Sequence, residues 1–186
     1  MIRAFLRVCK ASEGGAFSDP AFRPVGYDAD RMHCPGCGSR GTLAPHAGYS
    51  RHYVSMEGDA VTDTLIEVAR LRCSSCGTTH AVLPLTAVPR SVFSVLFIAS
   101  LIADHINRRF PGVESLCAHY GVAVNTFYRI RGRFLSCVRI VSGILAAGPE
   151  ASAAAAAITG GLESADAFLA SFFELTGTSF CEPRGP

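Results

Sequence analysis

The feature that most constrains this chain is a pair of cysteine turns. Cys34-Pro35-Gly36-Cys37-Gly38 and Cys73-Ser74-Ser75-Cys76-Gly77 repeat the pattern Cys-x-x-Cys-Gly, with 35 residues between them. Two residues between thiols let both sulfurs of a tight turn aim at one ion, and a glycine after the second cysteine accepts the positive φ that such a turn needs. Two turns of this kind supply Cys34, Cys37, Cys73 and Cys76 as a closed tetrahedral set for a structural Zn²⁺. The competing uses are disulfides, a redox Cys-x-x-Cys motif and an iron–sulfur cluster. Disulfides need an oxidising compartment that nothing else in the sequence indicates, and a redox motif has no need of a duplicate. The remaining cysteines show no paired spacing; Cys117 and Cys137 fall on predicted helix faces and read as small core residues. His33 and His80 flank the turns and read as neighbours of the ion or surface groups rather than ligands.

The stretch between the turns has the alternation of β-structure. Tyr49–Ser55 is a short strand candidate, Gly58-Asp59 a turn, and Val61–Arg72 a second strand rich in β-branched residues that runs into Cys73. Its alternation predicts Leu65, Glu67, Ala69 and Leu71 on one face and Ile66, Val68, Arg70 and Arg72 on the other. Thr78–Leu83 is a third strand, ended by Pro84. Strands leading into and out of metal turns describe a zinc ribbon. Its thin core leaves much of the folding free energy to the metal.

From Ser91 the period becomes helical. Ser91 is a candidate cap, and Val92, Phe93, Leu96, Phe97, Ala99, Ser100, Ala103 and Ile106 follow at helical spacings until Pro111-Gly112. Val113–Gly132 then fits a helix-turn-helix: Leu116, Tyr120, Val122, Phe127 and Ile130 as the apolar lock, Cys117 as the small contact residue, and Gly121 as the turn. A generic helical hairpin satisfies the same positions. With Phe127 and Ile130 inward, Asn125, Thr126, Tyr128 and Arg129 face outward from a second helix that starts near Val124. Asn and Arg four residues apart are side chains that read adenine and guanine edges in a major groove, whereas Arg131 and Arg133 suit phosphates. Phe134–Ala147 continues as helix. Gly148-Pro149 breaks the chain, an Ala-rich stretch follows, and Asp166–Leu175 carries Phe168, Leu169, Phe172 and Phe173 at helical spacing, expected to pack back on the helices or to meet a second copy.

Charge separates these regions. Of the 17 basic residues, all but Lys10 are arginine. Residues 105–146 carry Arg108, Arg109, Arg129, Arg131, Arg133 and Arg139 against Glu114 alone, while residues 147–186 are acidic. A basic block of arginines suggests an anionic partner for the middle of the chain; a solvated helix face is the alternative. No apolar run reaches the roughly 18–20 residues of a membrane span, and the start lacks the apolar stretch and cleavage site of a secretory signal. A cytoplasmic protein with no membrane partner is expected.

The run Cys34-Pro35-x-Cys37-Gly38-Ser39, then Tyr49-x-Arg51, then Arg70-x-Arg72-Cys73-x-x-Cys76-Gly77-x-Thr79-His80-Ala81-x-Leu83-Pro84 resembles a bacterial family of uncharacterised function. Its members look like the front end of insertion-sequence transposases, a zinc ribbon followed by a helix-turn-helix, and the resemblance spans roughly residues 30–135. In relatives of that transposase type a domain with three catalytic carboxylates follows. Here the acids after the helices, Glu150, Glu163, Asp166, Glu174 and Glu182, have no strand pattern to gather them around metal ions.

The sequence therefore predicts an α+β chain: an N-terminal segment of no assignable role (1–30), a small β zinc ribbon (31–88), an all-α helix-turn-helix domain (91–147), and an Ala-rich linker with an acidic helix (148–186). It predicts a zinc-containing protein that binds double-stranded DNA, as a transposase remnant, accessory factor or regulator. It predicts no catalysis and no small-molecule substrate, and it leaves a homodimer open. The alternative is a protein-interaction module that docks through the ribbon and the acidic, Phe-rich tail.

Overall fold

The structure, a computed structural model, describes residues 2–4, 32–84, 86–145, 168–169, 172 and 180–181. The expected Ala-rich linker and nearly all of the N-terminal segment lie outside these residues. Four strands, β1 (Ile2–Ala4), β2 (Leu43–Glu57), β3 (Ala60–Cys73) and β4 (Thr79–Pro84), are followed by three helices, α1 (Val95–Ile106), α2 (Val113–Tyr120) and α3 (Val124–Leu145). The class is α+β. No helix is long and apolar enough to cross a membrane among the described residues.

The strands form one sheet in the order β1-β4-β3-β2. Gly58-Asp59 joins β2 to β3 as the expected hairpin turn, and β3 pairs antiparallel with β4 through Arg70↔Ala81, Leu71↔His80 and Arg72↔Thr79. β1 adds in parallel to the other side of β4. β2 begins at Leu43, six residues before the strand predicted from Tyr49.

Burial along β3 departs from a single alternation. Ile66 and Val68 are buried in its middle, whereas Ala69, Leu71 and Cys73 are buried towards its end; Leu65 is exposed. The buried face thus changes from even to odd positions at Val68-Ala69. The expectation that residues 65, 67, 69 and 71 share one environment fails because the two halves of the strand cover different faces.

The chain divides into two compact units, one of Met1–Tyr53 with Asp63–Leu85 and the other of Val54–Thr62 with Thr86–Pro186. The tip of the hairpin therefore groups with the helices. In the first unit, Cys34, Leu43, Ala69, Leu71, Cys73 and Val82 form one buried cluster, with Met32 packed against it; Tyr53, Ile66, Val68 and Leu83 are buried as well.

In the second unit, Ser94 and not Ser91 caps α1: its hydroxyl accepts from the Phe97 N–H at 3.0 Å and donates to Ser55 Oγ at 3.0 Å. The backbone of residues 92–94 is already used, because Val54 N–H donates to the Val92 carbonyl and Ser94 N–H to the Val54 carbonyl, both at 2.8 Å. A segment held in that bridge cannot be the first turn of a helix. Phe97, Leu101, Ile102, Leu116, Phe127 and Phe134 fill the core. Phe97 meets Tyr120 edge-on, and His105 meets Phe127 in the same way. In the tail, Leu169, Phe172, Phe180 and Cys181 are buried, and Phe180 packs edge-on against Phe134, Phe168 and Phe172.

Candidate functional site

Each cysteine turn is closed by its own backbone. Gly38 N–H donates to the Cys34 carbonyl at 2.8 Å and Gly77 N–H to the Cys73 carbonyl at 2.9 Å; Cys34 and Cys73 N–H return bonds to Ser39 and Thr78. Gly38 and Gly77 sit at φ 75° and 72°, with open space where a Cβ would stand. Backbone conformation, not crowding, selects glycine there. Ser74 N–H donates to the Thr42 carbonyl at 2.8 Å, tying the second turn to the chain that follows the first.

The two turns bring the four expected cysteines together: one sulfur from each of Cys34, Cys37, Cys73 and Cys76 lies within 4.8 Å of all the others. Cys34 and Cys73 are buried, Cys37 and Cys76 exposed. Across the turns, Cys34 and Cys76 Sγ are 3.7 Å apart and Cys37 and Cys73 Sγ 3.8 Å. A tetrahedron of thiolates at the usual zinc–sulfur length has edges of about 3.8 Å. These cysteines are free thiols, and the four can hold a metal ion.

Three neighbours shape the sulfurs. His80 is buried, with Nε2 3.2 Å from Cys34 Sγ; burial pushes its pKa down, which favours the neutral imidazole. Thr42 Oγ1 lies 3.2 Å from Cys73 Sγ, and Ser39 Oγ 3.3 Å from Cys37 Sγ. Burial raises the Cys34 thiol to about 11. The Thr42 hydroxyl, helped by the Cys76 backbone, holds Cys73 down to about 6, and Ser39 lowers Cys37. The Thr42 hydroxyl thus favours the thiolate of Cys73, whereas burial favours the protonated form of Cys34. The sequence placed His80 beside the turns but gave no sign of Thr42, which stands 31 positions from Cys73 and reaches it through the fold. His33 is exposed.

The second candidate surface belongs to α3. α2 ends at Gly121, in the left-handed conformation at φ 64° and ψ 32°, and α3 starts at Val124 as expected. Leu116, Cys117, Tyr120, Phe127 and Ile130 are buried; Val122 is half-buried. On the other side, Asn125, Tyr128, Arg129 and Arg131 are exposed, while Thr126 and Arg133 are half-buried. Thr126 stands on the flank of α3 rather than on its outward face. Arg129 Nη2 donates to Thr126 Oγ1, and that hydroxyl to Asn125 Oδ1, both at 3.4 Å.

Arg108 and Arg109, adjacent in sequence, have separate fates. Arg109 makes a two-pronged pair with Asp59, at 3.3 and 3.1 Å, and reaches Asp104 at 3.4 Å. Tyr120 Oη also donates to Asp104, at 2.9 Å. Arg109 thus fastens the hairpin turn to the end of α1, and its guanidinium holds Asp59 below the usual carboxylate range.

Residues 34–120 match the model of a family described as Domain of unknown function (DUF6431). The match opens on the first metal-turn cysteine, contains all four, and closes on the last residue of α2. It covers under half of the chain and stops short of α3. This agrees with the likeness to an uncharacterised family, over a shorter stretch than the 30–135 read from sequence. No curated protein and no solved structure matches the chain.

Proposed function

We propose that the chain is a zinc-stabilised, non-catalytic DNA-binding protein. In this reading the first unit is a zinc ribbon, held by Cys34, Cys37, Cys73 and Cys76, and α2–Gly121–α3 is a helix-turn-helix that places α3 in the major groove of duplex DNA. The observation that carries the DNA reading is the division of α3. Phe127, Ile130 and Phe134 are buried on one side, and Asn125, Tyr128 and Arg129 are exposed on the other, near the end that a recognition helix presents to base edges. The hydrogen-bonded row Arg129–Thr126–Asn125 orders these groups before any base arrives. The resemblance to the front end of insertion-sequence transposases supports duplex DNA as the partner.

The test is a titration of the full chain against labelled genomic duplexes at several salt concentrations. Affinity should fall steeply with salt. Arg129→Ala should cost about 1–3 kcal/mol on the preferred site and relax preference at one base position. With Mg²⁺ or Mn²⁺ added, the duplex should stay intact. Absence of salt-sensitive binding overturns the reading.

A further inference from the structure

Three non-glycine residues hold a positive φ among those described: Arg90 at 56°, Arg108 at 53° and Cys181 at 59°. Two of the three are exposed arginines in the turns on either side of α1. A side chain at this φ carries backbone strain that glycine would not, and such strain gathers where a group is held for use.

Each arginine opens onto a cavity against α3. Arg90 shares one of about 330 Å³ with Ser91, Thr126, Arg129 and Arg133. Arg108 shares one of about 540 Å³ with His105 and Arg131. Arg131 stands about 200° around the helix from both Arg129 and Arg133, so the two cavities flank α3 on opposite sides. Asp104, the carboxylate lining the second cavity, is already taken by Arg109 and Tyr120. Arg109 pairs with Asp59 and Asp104; among the described residues, Arg90, Arg108, Arg129, Arg131 and Arg133 have no carboxylate partner.

We propose that Arg90 and Arg108 are a matched pair of phosphate-binding groups that bracket α3, one for each strand of the duplex. The inference rests on the DNA-binding reading; it adds Arg90, and it separates Arg108 from Arg109, which the sequence left together as either phosphate contacts or solvated helix-end charges. A helix about 10–12 Å across fills a major groove about 12 Å wide. Its two flanks then face the two phosphate backbones, and each flank here carries a cationic cavity. A guanidinium takes a phosphate through two parallel N–H donors. Arg90 joins Arg129 and Arg133 against one strand, Arg108 joins Arg131 against the other, and Arg109 is excluded because both its acceptors are protein carboxylates.

The positive φ makes the test clean. Arg90→Gly and Arg108→Gly remove the guanidinium and relieve strain, so both full-length variants should melt at or above the wild-type temperature. Each should weaken binding to specific and scrambled duplexes alike and lower the salt slope by about 0.9, and the double variant by about 1.8. Ethylation interference should show that the phosphates freed by the two variants lie on different strands. Wild-type binding with unchanged slopes in both variants overturns this inference and leaves the DNA reading standing; freed phosphates on one and the same strand overturn the bracketing. If wild-type protein shows no salt-dependent binding, the DNA reading fails and the phosphate-binding role fails with it.

Discussion

The two units reach their folds by different means. Around the cysteine turns of the first, the buried cluster is Cys34 and Cys73 with Leu43, Ala69, Leu71 and Val82. The core of the second is built on Phe97, Phe127, Phe134, Leu101, Ile102 and Leu116. At roughly 25 cal/mol per Å² of buried apolar surface, the small side chains of that cluster set less against the entropy of ordering the cysteine turns than the large rings of the second unit's core do for its helices. Four sulfurs converge beside that cluster, so an ion held there would do for the turns what aromatic packing does in the second unit. The packing of the second unit leaves one side of α3 free to carry polar and charged groups.

The largest test of that contrast is Cys76→Ser. Structural zinc supplies about 10–16 kcal/mol of apparent folding free energy in zinc-finger peptides, and losing one of four thiolates should forfeit much of it. Metal analysis should fall from one equivalent per chain towards none, with the helical circular dichroism retained. Cys117→Ser, on a buried cysteine of α2 remote from the tetrad in sequence, should keep the metal; loss of metal there too would mean the four cysteines are not the ligand set.

The converse change is Phe127→Ala, which empties a fully buried ring from the second core and should cost about 3–5 kcal/mol. Thermal melting should show the helices failing first while bound metal is retained. Simultaneous loss of both would deny the units their separate sources of stability.

The smallest effect belongs to Asp59. Its folded pKa is depressed below the ordinary 3.8 by Arg109, so its stabilising contribution is present above pH 3.8 and disappears as pH falls through the lower folded value. Asp59→Asn should therefore melt slightly below wild type at neutral pH, a modest shift because the pair is exposed. The two should converge once the pH falls below the lowered folded pKa of Asp59. A gap that persists in acid would mean Asp59 acts through something other than its charge.

The tetrad was the most legible part of the sequence, because its chemistry is written in local spacing: two residues between thiols and a glycine after each pair. The register of α2 and α3 was legible for a similar reason, with Leu116, Tyr120, Phe127 and Ile130 carrying the helical period. What escaped is non-local. Thr42 reaches Cys73, and Val54 claims the backbone that would have let Ser91 begin a helix; neither is visible until the hairpin is folded. The change of buried face at Val68-Ala69 escaped because alternation assigns one inside to a whole strand. Arg108 and Arg109 read alike as neighbouring charges, and only the position of Asp59 at the hairpin turn separates them.

The most direct measurement is amide hydrogen exchange on the full chain, stripped of metal and then given one equivalent of Zn²⁺. The account predicts that zinc slows exchange at the hydrogen-bonded amides of Gly38, Ser74 and Gly77, while α1, α2 and the start of α3 are protected to the same degree with and without it. Protection of the cysteine turns in the metal-free chain, or loss of the helices together with them, would contradict it.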